Sequence, residues 1–131
     1  MNMDNTKNSI LMFYEFETEV SRACKKHDTT VLDRLIANDF EGITRDGKKI
    51  DKKEINALGL QDITVFLEFN EKSLDEHVVR VDYECSGKIG VEKRCSLWQN
   101  TNGWQLKYHQ ITPIKGKLPV DPVKNLPKER L

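Results

Sequence analysis

The side chains best suited to chemistry are a carboxylate, an arginine–aspartate pair, a histidine and two tyrosines. Glu17 falls inside an otherwise apolar arc. At helical spacing Met12, Phe13, Phe16, Val20, Ala23 and Cys24 share one side, with Ile10 at its edge, while Glu15, Glu19, Arg22 and Lys26 lie opposite. A carboxylate among apolar neighbours is desolvated, which raises its pKa toward that of a general acid or base working near neutrality. The same placement suits a structural hydrogen bond or ion pair from helix to sheet. Arg80 and Asp82 are two apart on an expected strand, so they share a face and can pair bidentately. A solvated charged ladder of Arg80, Asp82, Glu84, Arg94 and Lys107 on the outer face of a sheet explains the same pattern. His109 can shuttle a proton near neutral pH. Strict alternation places it with Lys107, away from the core, unless a bulge before Thr112-Pro113 reverses the face. Tyr83, Tyr108 and Gln110 are expected on the inner face. There the two hydroxyls can serve a ligand carbonyl or an oxyanion, or simply complete the core.

These residues need elements to position them. A helix is expected from Ser9 as N-cap through the apolar arc. Asp28 caps a second helix with Val31, Leu32, Leu35 and Ile36 as its buried stripe, ended by Asn38-Asp39. A strand from Phe40 to Thr44, an Asp46-Gly47 turn and a brief return strand follow. Asp51-Lys52-Lys53-Glu54 reads as a capping box that opens a third helix, and Gly59 stops it. From Asp62 onward the period becomes two. Ile63, Val65, Leu67 and Phe69 alternate with Thr64, Phe66, Glu68 and Asn70; Val79, Val81, Tyr83 and Cys85 with Arg80, Asp82, Glu84 and Ser86; Cys95 and Leu97 with Arg94, Ser96 and Trp98; and Trp104, Leu106, Tyr108 and Gln110 with Gln105, Lys107, His109 and Ile111. This is an antiparallel meander with one apolar face that the three preceding helices must cover. The fold class is α+β. On this alternation Phe66, Trp98 and Ile111 fall on the outer face, an aromatic cluster among charges of the kind a dimer interface uses.

Three segments divide the chain: residues 1–8, polar and expected to be disordered; one domain over 9–114; and a Pro-rich extended tail over 115–131. The tail carries Leu118, Val120, Val123, Leu126 and Leu131, and reads either as a flexible terminus or as a strap across a groove on its own or a neighbouring subunit; a protein-interaction adaptor acting through this tail is one alternative function.

The order of elements resembles that of the nuclear-transport-factor-2-like (SnoaL-like) superfamily. The local residues carry the resemblance further. Glu17, Asp28, Leu32, Leu35 and Asn38-Asp39-Phe40 look like the start of its small, uncharacterised bacterial-type members. Ser96-Leu97-Trp98, Asn102-Gly103-Trp104 and His109-Gln110-Ile111-Thr112-Pro113 are similar to the way those members end, and the association domain of calmodulin-dependent kinases ends comparably. The resemblance implies a cone-shaped fold of three N-terminal helices on a curved, mostly antiparallel sheet. It also implies a pocket between the sheet and the first helix, and a homodimer. An Arg-x-Asp strand like Arg80-Val81-Asp82 serves catalysis in the limonene-epoxide-hydrolase branch. That analogy expects a second carboxylate on the closing strand, where this chain has Tyr108, His109 and Gln110. The superfamily hosts many chemistries and assembly roles, so function must be argued from the site.

The bulk composition narrows the partners. The 131 residues suit one domain, and 21 Lys+Arg against 21 Asp+Glu give a net charge of zero. No global field draws the chain to nucleic acid or anionic lipid. The apolar run Ile10–Tyr14 is too short to span a bilayer or serve as a signal segment, so the expected location is the cytoplasm. Cys24, Cys85 and Cys95 lack a C-x-x-C pair, which argues against a disulfide framework and a zinc site, although Cys85 and Cys95 are candidate cross-strand neighbours. His27 and His77 read as surface residues at element ends. No metal or cofactor is expected. Two readings follow. One is a non-catalytic module that binds a small apolar ligand or assembles with a second copy. The other is a small isomerase, cyclase or dehydratase with Glu17 as acid or base and Tyr83 or Tyr108 as carbonyl donor; His109, Arg80 and Asp82 are lesser catalytic candidates. The enzyme reading requires a raised Glu17 pKa and an open cavity beside it. The module reading requires Glu17 to be tied up in protein hydrogen bonds.

Overall fold

A computed structural model describes residues 4–87 and 90–114, with side chains from Leu11 onward. The tail expected over 115–131 lies outside the described residues. Helix α1 runs Asp4–Lys26, earlier at its start than the cap expected at Ser9. Asp28 caps α2 (Thr29–Leu35), its Oδ1 accepting from the Val31 amide at 3.2 Å. The chain turns at Ile36 straight into strand β1 (Ile36–Ile43), so Ile36 to Asp39 belong to a strand and not to the end of a helix. The expected boundary fails because Ile36 pairs with Leu106, a partner remote in sequence.

After the Asp46-Gly47 turn comes β2 (Lys49–Ile50). The capping box forms, with the Glu54 amide donating to Asp51 Oδ1 at 3.2 Å and the Asp51 amide to Glu54 Oε1 at 3.1 Å. The segment it opens, Lys52–Leu58, is a 3-10 helix and not an α-helix, and a second 3-10 turn covers Leu60–Asp62. Between them Gly59 adopts a left-handed φ of 66°, the helix stop its sequence position predicts. Four long strands complete the chain: β3 (Ile63–Asp75), β4 (Val78–Gly87), β5 (Gly90–Asn100) and β6 (Trp104–Pro113).

One six-stranded sheet results, ordered β2-β1-β6-β5-β4-β3. β1 and β6 pair in parallel; the other neighbours are antiparallel. The core lies between the sheet and the helices. α1 supplies Phe13, Val20 and Cys24; the sheet supplies Val81, Tyr83 and Trp98.

Register shifts in the sheet change which face several of the expected site residues take. β3 shifts register between Ile63 and Val65 and again between Leu67 and Asn70, where Glu68 has a φ of 50°. Phe66 therefore turns inward, against Tyr83 and Tyr14. A shift between β5 and β6 pairs Trp98 with Leu106 and Leu97 with Tyr108, so the parity of β6 changes at Lys107. His109 and Ile111 are buried, while Tyr108 is half-buried on the outer face and Gln110 is exposed. On β5 Glu92, Arg94, Ser96 and Trp98 are buried on the inner face, and Val91 is buried as well. The expected outer cluster of Phe66, Trp98 and Ile111 is thus an inner one, and Arg94 leaves the outer ladder for the interior. Cys85 pairs opposite Glu92 and faces in, whereas Cys95 pairs with Asp82 and faces out, so the two cysteines are not neighbours.

Gly87 sits where the β4 end meets the turn before β3. A Cβ there would lie 2.5 Å from the Asp62 carbonyl oxygen. Backbone must move to admit it, so Gly87→Ala is expected to cost about 1–3 kcal/mol, readable as a lowered denaturant midpoint.

Candidate functional site

Glu17 is 2% exposed, and its carboxylate meets the inner face of the sheet. Tyr83 Oη donates to Oε1 at 2.9 Å and Trp98 Nε1 donates to Oε2 at 2.8 Å. Ser96 gives a third hydrogen bond. Each donor comes from a strand position whose side chain the alternation of β4 or β5 directs toward α1.

The network continues along β5. Ser96 Oγ lies 2.8 Å from His109 Nδ1, and Arg94 Nη1 lies 3.2 Å from His109 Nε2. Arg94 Nη2 donates to Glu92 Oε1 at 2.7 Å, and Arg45 Nε donates to Glu92 Oε2, also at 2.7 Å. An arginine has donors only, so His109 Nε2 must accept, and Nδ1 then carries the proton of the neutral ring. Nδ1–H donates to Ser96, whose hydroxyl is free to donate to Glu17. The donors thus run one way: Arg94 to His109 to Ser96 to Glu17. Two guanidiniums face two carboxylates across the network, and the charges balance when Glu17 is ionised.

Burial sets the titration of these groups. It pushes the Glu17 carboxyl upward, while the hydrogen bonds of Ser96, Trp98 and Tyr83 and the charge of Arg94 pull part of the way back. Burial, with the Arg94 charge beside it, holds His109 well below 6.5. The Tyr83 hydroxyl is raised well above its usual range by burial and by Glu17. A depressed histidine contributes stability that is complete above its unfolded pKa of 6.5 and is lost as pH falls. Glu17 has the opposite sign: its raised pKa removes stability as pH rises past its unfolded value of 4.5. The His109 contribution is therefore expected to fall on acidification below about pH 6.5, against the opposite trend of Glu17, and His109→Gln, compared with the wild type by denaturation across that range, is expected to remove that fall.

Aromatic rings close the space around Glu17. Phe16 stacks on Trp98 with centroids 5.1 Å apart, Phe13 packs edge-on to Trp104 at 4.9 Å, and Phe69 stacks on Tyr83 at 5.4 Å. Five clefts on the described surface are lined by residues other than Glu17 and Tyr83. One of these, of about 560 Å³, lies beyond the end of α1 between Cys24, His27, Gln61 and Ile63.

The structure brings Glu17, Tyr83 and His109 together and separates them from the other candidates. Tyr108 and Gln110 face outward and bond each other at 2.5 Å. Arg80 and Asp82 form their bidentate pair, at 2.9 and 3.2 Å, on the same outer face. Sequence reasoning missed Glu92, Arg94, Ser96 and Trp98 as inner residues. The available signal was parity: all four share a face, and Trp98 is the largest apolar side chain on β5. Among the described residues, no group of three His, Cys, Asp or Glu side chains is placed to hold a metal ion, and no helix is long and apolar enough to cross a membrane.

No protein-family model and no curated protein matches the sequence. Solved structures do match. An NTF2-like protein from Cytophaga hutchinsonii superposes with a TM-score of 0.66 at 17% identity, over 87% of this chain and 100% of that one. A candidate Ca/calmodulin-dependent kinase II association domain from Exiguobacterium sibiricum gives 0.65 at 16% identity, over 89% and 98%. A candidate ketosteroid isomerase from Shewanella frigidimarina gives 0.60 at 8% identity, over 75% and 92%. At these identities the likeness speaks for architecture, and the architecture of this chain is the nuclear-transport-factor-2-like fold.

Proposed function

We propose that the domain is a non-catalytic assembly module that pairs with a second copy through the outer face of its sheet. The engagement of Glu17 by protein donors carries this reading. The carboxylate is 2% exposed and accepts from Tyr83, Trp98 and Ser96, with Phe16 and Phe13 packed on the Trp98 ring, so it is committed to the interior and not presented to a guest. The surface is then the place to look for a role. On the outer face Leu97 stands opposite Tyr108, both half-buried, and Arg80–Asp82 flanks them as a charged rim. An apolar centre with a charged border is the usual anatomy of a protein interface. The candidate association domain among the structural neighbours agrees with an assembly role.

Sedimentation of the purified protein tests the proposal. A dimer is expected, and Leu97→Arg is expected to yield a folded monomer with an unchanged circular dichroism spectrum. A monomeric wild type would overturn the assembly role.

A second reading, an isomerase-type site with Glu17 as the proton carrier, is favoured by the upward push that burial gives its pKa and by the candidate ketosteroid isomerase among the neighbours. It requires the aromatic lining to open. A thermal-shift screen against apolar carbonyl compounds separates the two. A ligand at about a hundred times its Kd adds roughly 2.7 kcal/mol of stability, and Glu17→Gln would abolish such a shift. On the assembly reading the same variant only lowers stability, and no compound shifts the wild type.

A further inference from the structure

Arg94 is the most deeply buried cation described, with its side chain 2% exposed. Two of its nitrogens are matched, by His109 and Glu92. Its Nε is buried without a protein partner. The nearby Cys85 sulfur is at best a weak acceptor. A buried guanidinium N–H with no acceptor costs as much as a lost charged hydrogen bond, so such a group implies a guest that supplies one.

Arg94 lines a small cavity together with Arg45, Asp62, Cys85, Glu92 and the backbone near Gly87. Its free volume is about 10 Å³, which matches the space that one water molecule needs. The lining chooses the guest further. Arg45 and Arg94 bring two positive charges, and Asp62 and Glu92 bring two negative ones, so no net field favours an anion or a cation. A water can accept from Arg94 Nε and donate in return. Glu92 Oε1 takes a single donor from Arg94 and keeps a lone pair for it.

We propose that this cavity is a specific site for one ordered water, held by Arg94 Nε and the surrounding carboxylates. The water accepts from Arg94 and donates to Glu92, so the donor chain that ends at Glu17 starts at Arg94, and a second branch runs from Arg94 through the water to Glu92, which Arg45 holds at the rim. Asp62 and Ile63 also border the open cleft beyond α1, so this corner joins the buried network to solvent. The inference is independent of the assembly role, because it needs only the intact interior.

Two measurements on the wild-type full chain test it. In a high-resolution crystal structure a water peak is expected about 2.7–3.2 Å from Arg94 Nε, and a bromide-soaked crystal should show no anomalous signal there. In solution the Arg94 Nε–H resonance should give NOE and ROE cross peaks to water of opposite sign, the signature of a long-lived bound molecule. A bromide peak at Nε would overturn the proposal in favour of an anion site. An Nε–H proton that meets a protein acceptor in the crystal, or has no bound-water cross peak, would overturn it outright.

Discussion

Trp98→Ala is expected to leave a protein that is largely unfolded at physiological temperature. Trp98 has no exposed surface; it stacks on Phe16 and packs against Phe13. Truncation of a buried tryptophan costs about 3–5 kcal/mol through lost burial and the remaining cavity. The same change strips Glu17 of one of its three donors, and a hydrogen bond to a charged group is worth about 1.5–3 kcal/mol. The sum approaches the whole stability of a typical domain, about 5–15 kcal/mol. Trp98→Phe divides the two contributions. It keeps most of the ring contact and loses only the donor, so a folded protein with a loss of about 2 kcal/mol is expected. Urea titrations of both variants check this. A Trp98→Phe variant as stable as the wild type would show that packing alone matters and that the Trp98–Glu17 bond contributes nothing.

The second large effect is expected at Arg94. Arg94→Leu leaves Glu92 with only Arg45 and leaves His109 Nε2 without its donor. Removal of one partner of a buried ion pair costs about 3–5 kcal/mol, or a fall in Tm of roughly 10–20 °C for a domain of this size. The histidine supplies a separate readout. The Arg94 charge is one cause of the low His109 pKa, so NMR titration of the variant should find His109 protonating at a higher pH than in the wild type. A purely packing role for Arg94 would lower Tm without moving that titration. Arg80→Leu is the control. Arg80 is half exposed on the outer face, paired with Asp82 two residues along the same strand, and its loss should leave the melting temperature nearly unchanged.

The parts of the fold that depend on neighbours in sequence were legible in the residues. The Asp28 cap, the Asp51/Glu54 capping box, the Gly59 stop and the Asp46-Gly47 turn all form from local hydrogen bonds and local backbone preference. Inner and outer faces were legible along β4. They failed at the bulges of β3 and β6, because a bulge answers to the register of the partner strand and leaves little trace in its own residues, and along β5, where the alternation is unbroken but the parity expected from polarity is the reverse of the one observed. The site suffered most from this. Glu17 and Tyr83 lie on regular elements and were found. His109 and Tyr108 exchanged faces across a single shift. Arg94 and Ser96 looked like surface residues, since a polar side chain is usually outside, and their burial makes sense only beside Glu92, His109 and Glu17.

The parallel pairing of β1 with β6 has a consequence for how the molecule is made. Gly42 must wait for His109, and Ile43 for Gln110. A chain emerging from the ribosome exposes its early segments first, so β1 and the apolar face of α1 spend most of synthesis without their sheet. The contacts that bury Glu17 are likewise between residues far apart in sequence, 66 positions in the case of Tyr83 and 81 in that of Trp98. Contacts of such long span slow folding. The domain therefore cannot complete its sheet until β6 has been made, and a nascent chain that stalls before β6 carries an unpartnered strand exposed to other chains.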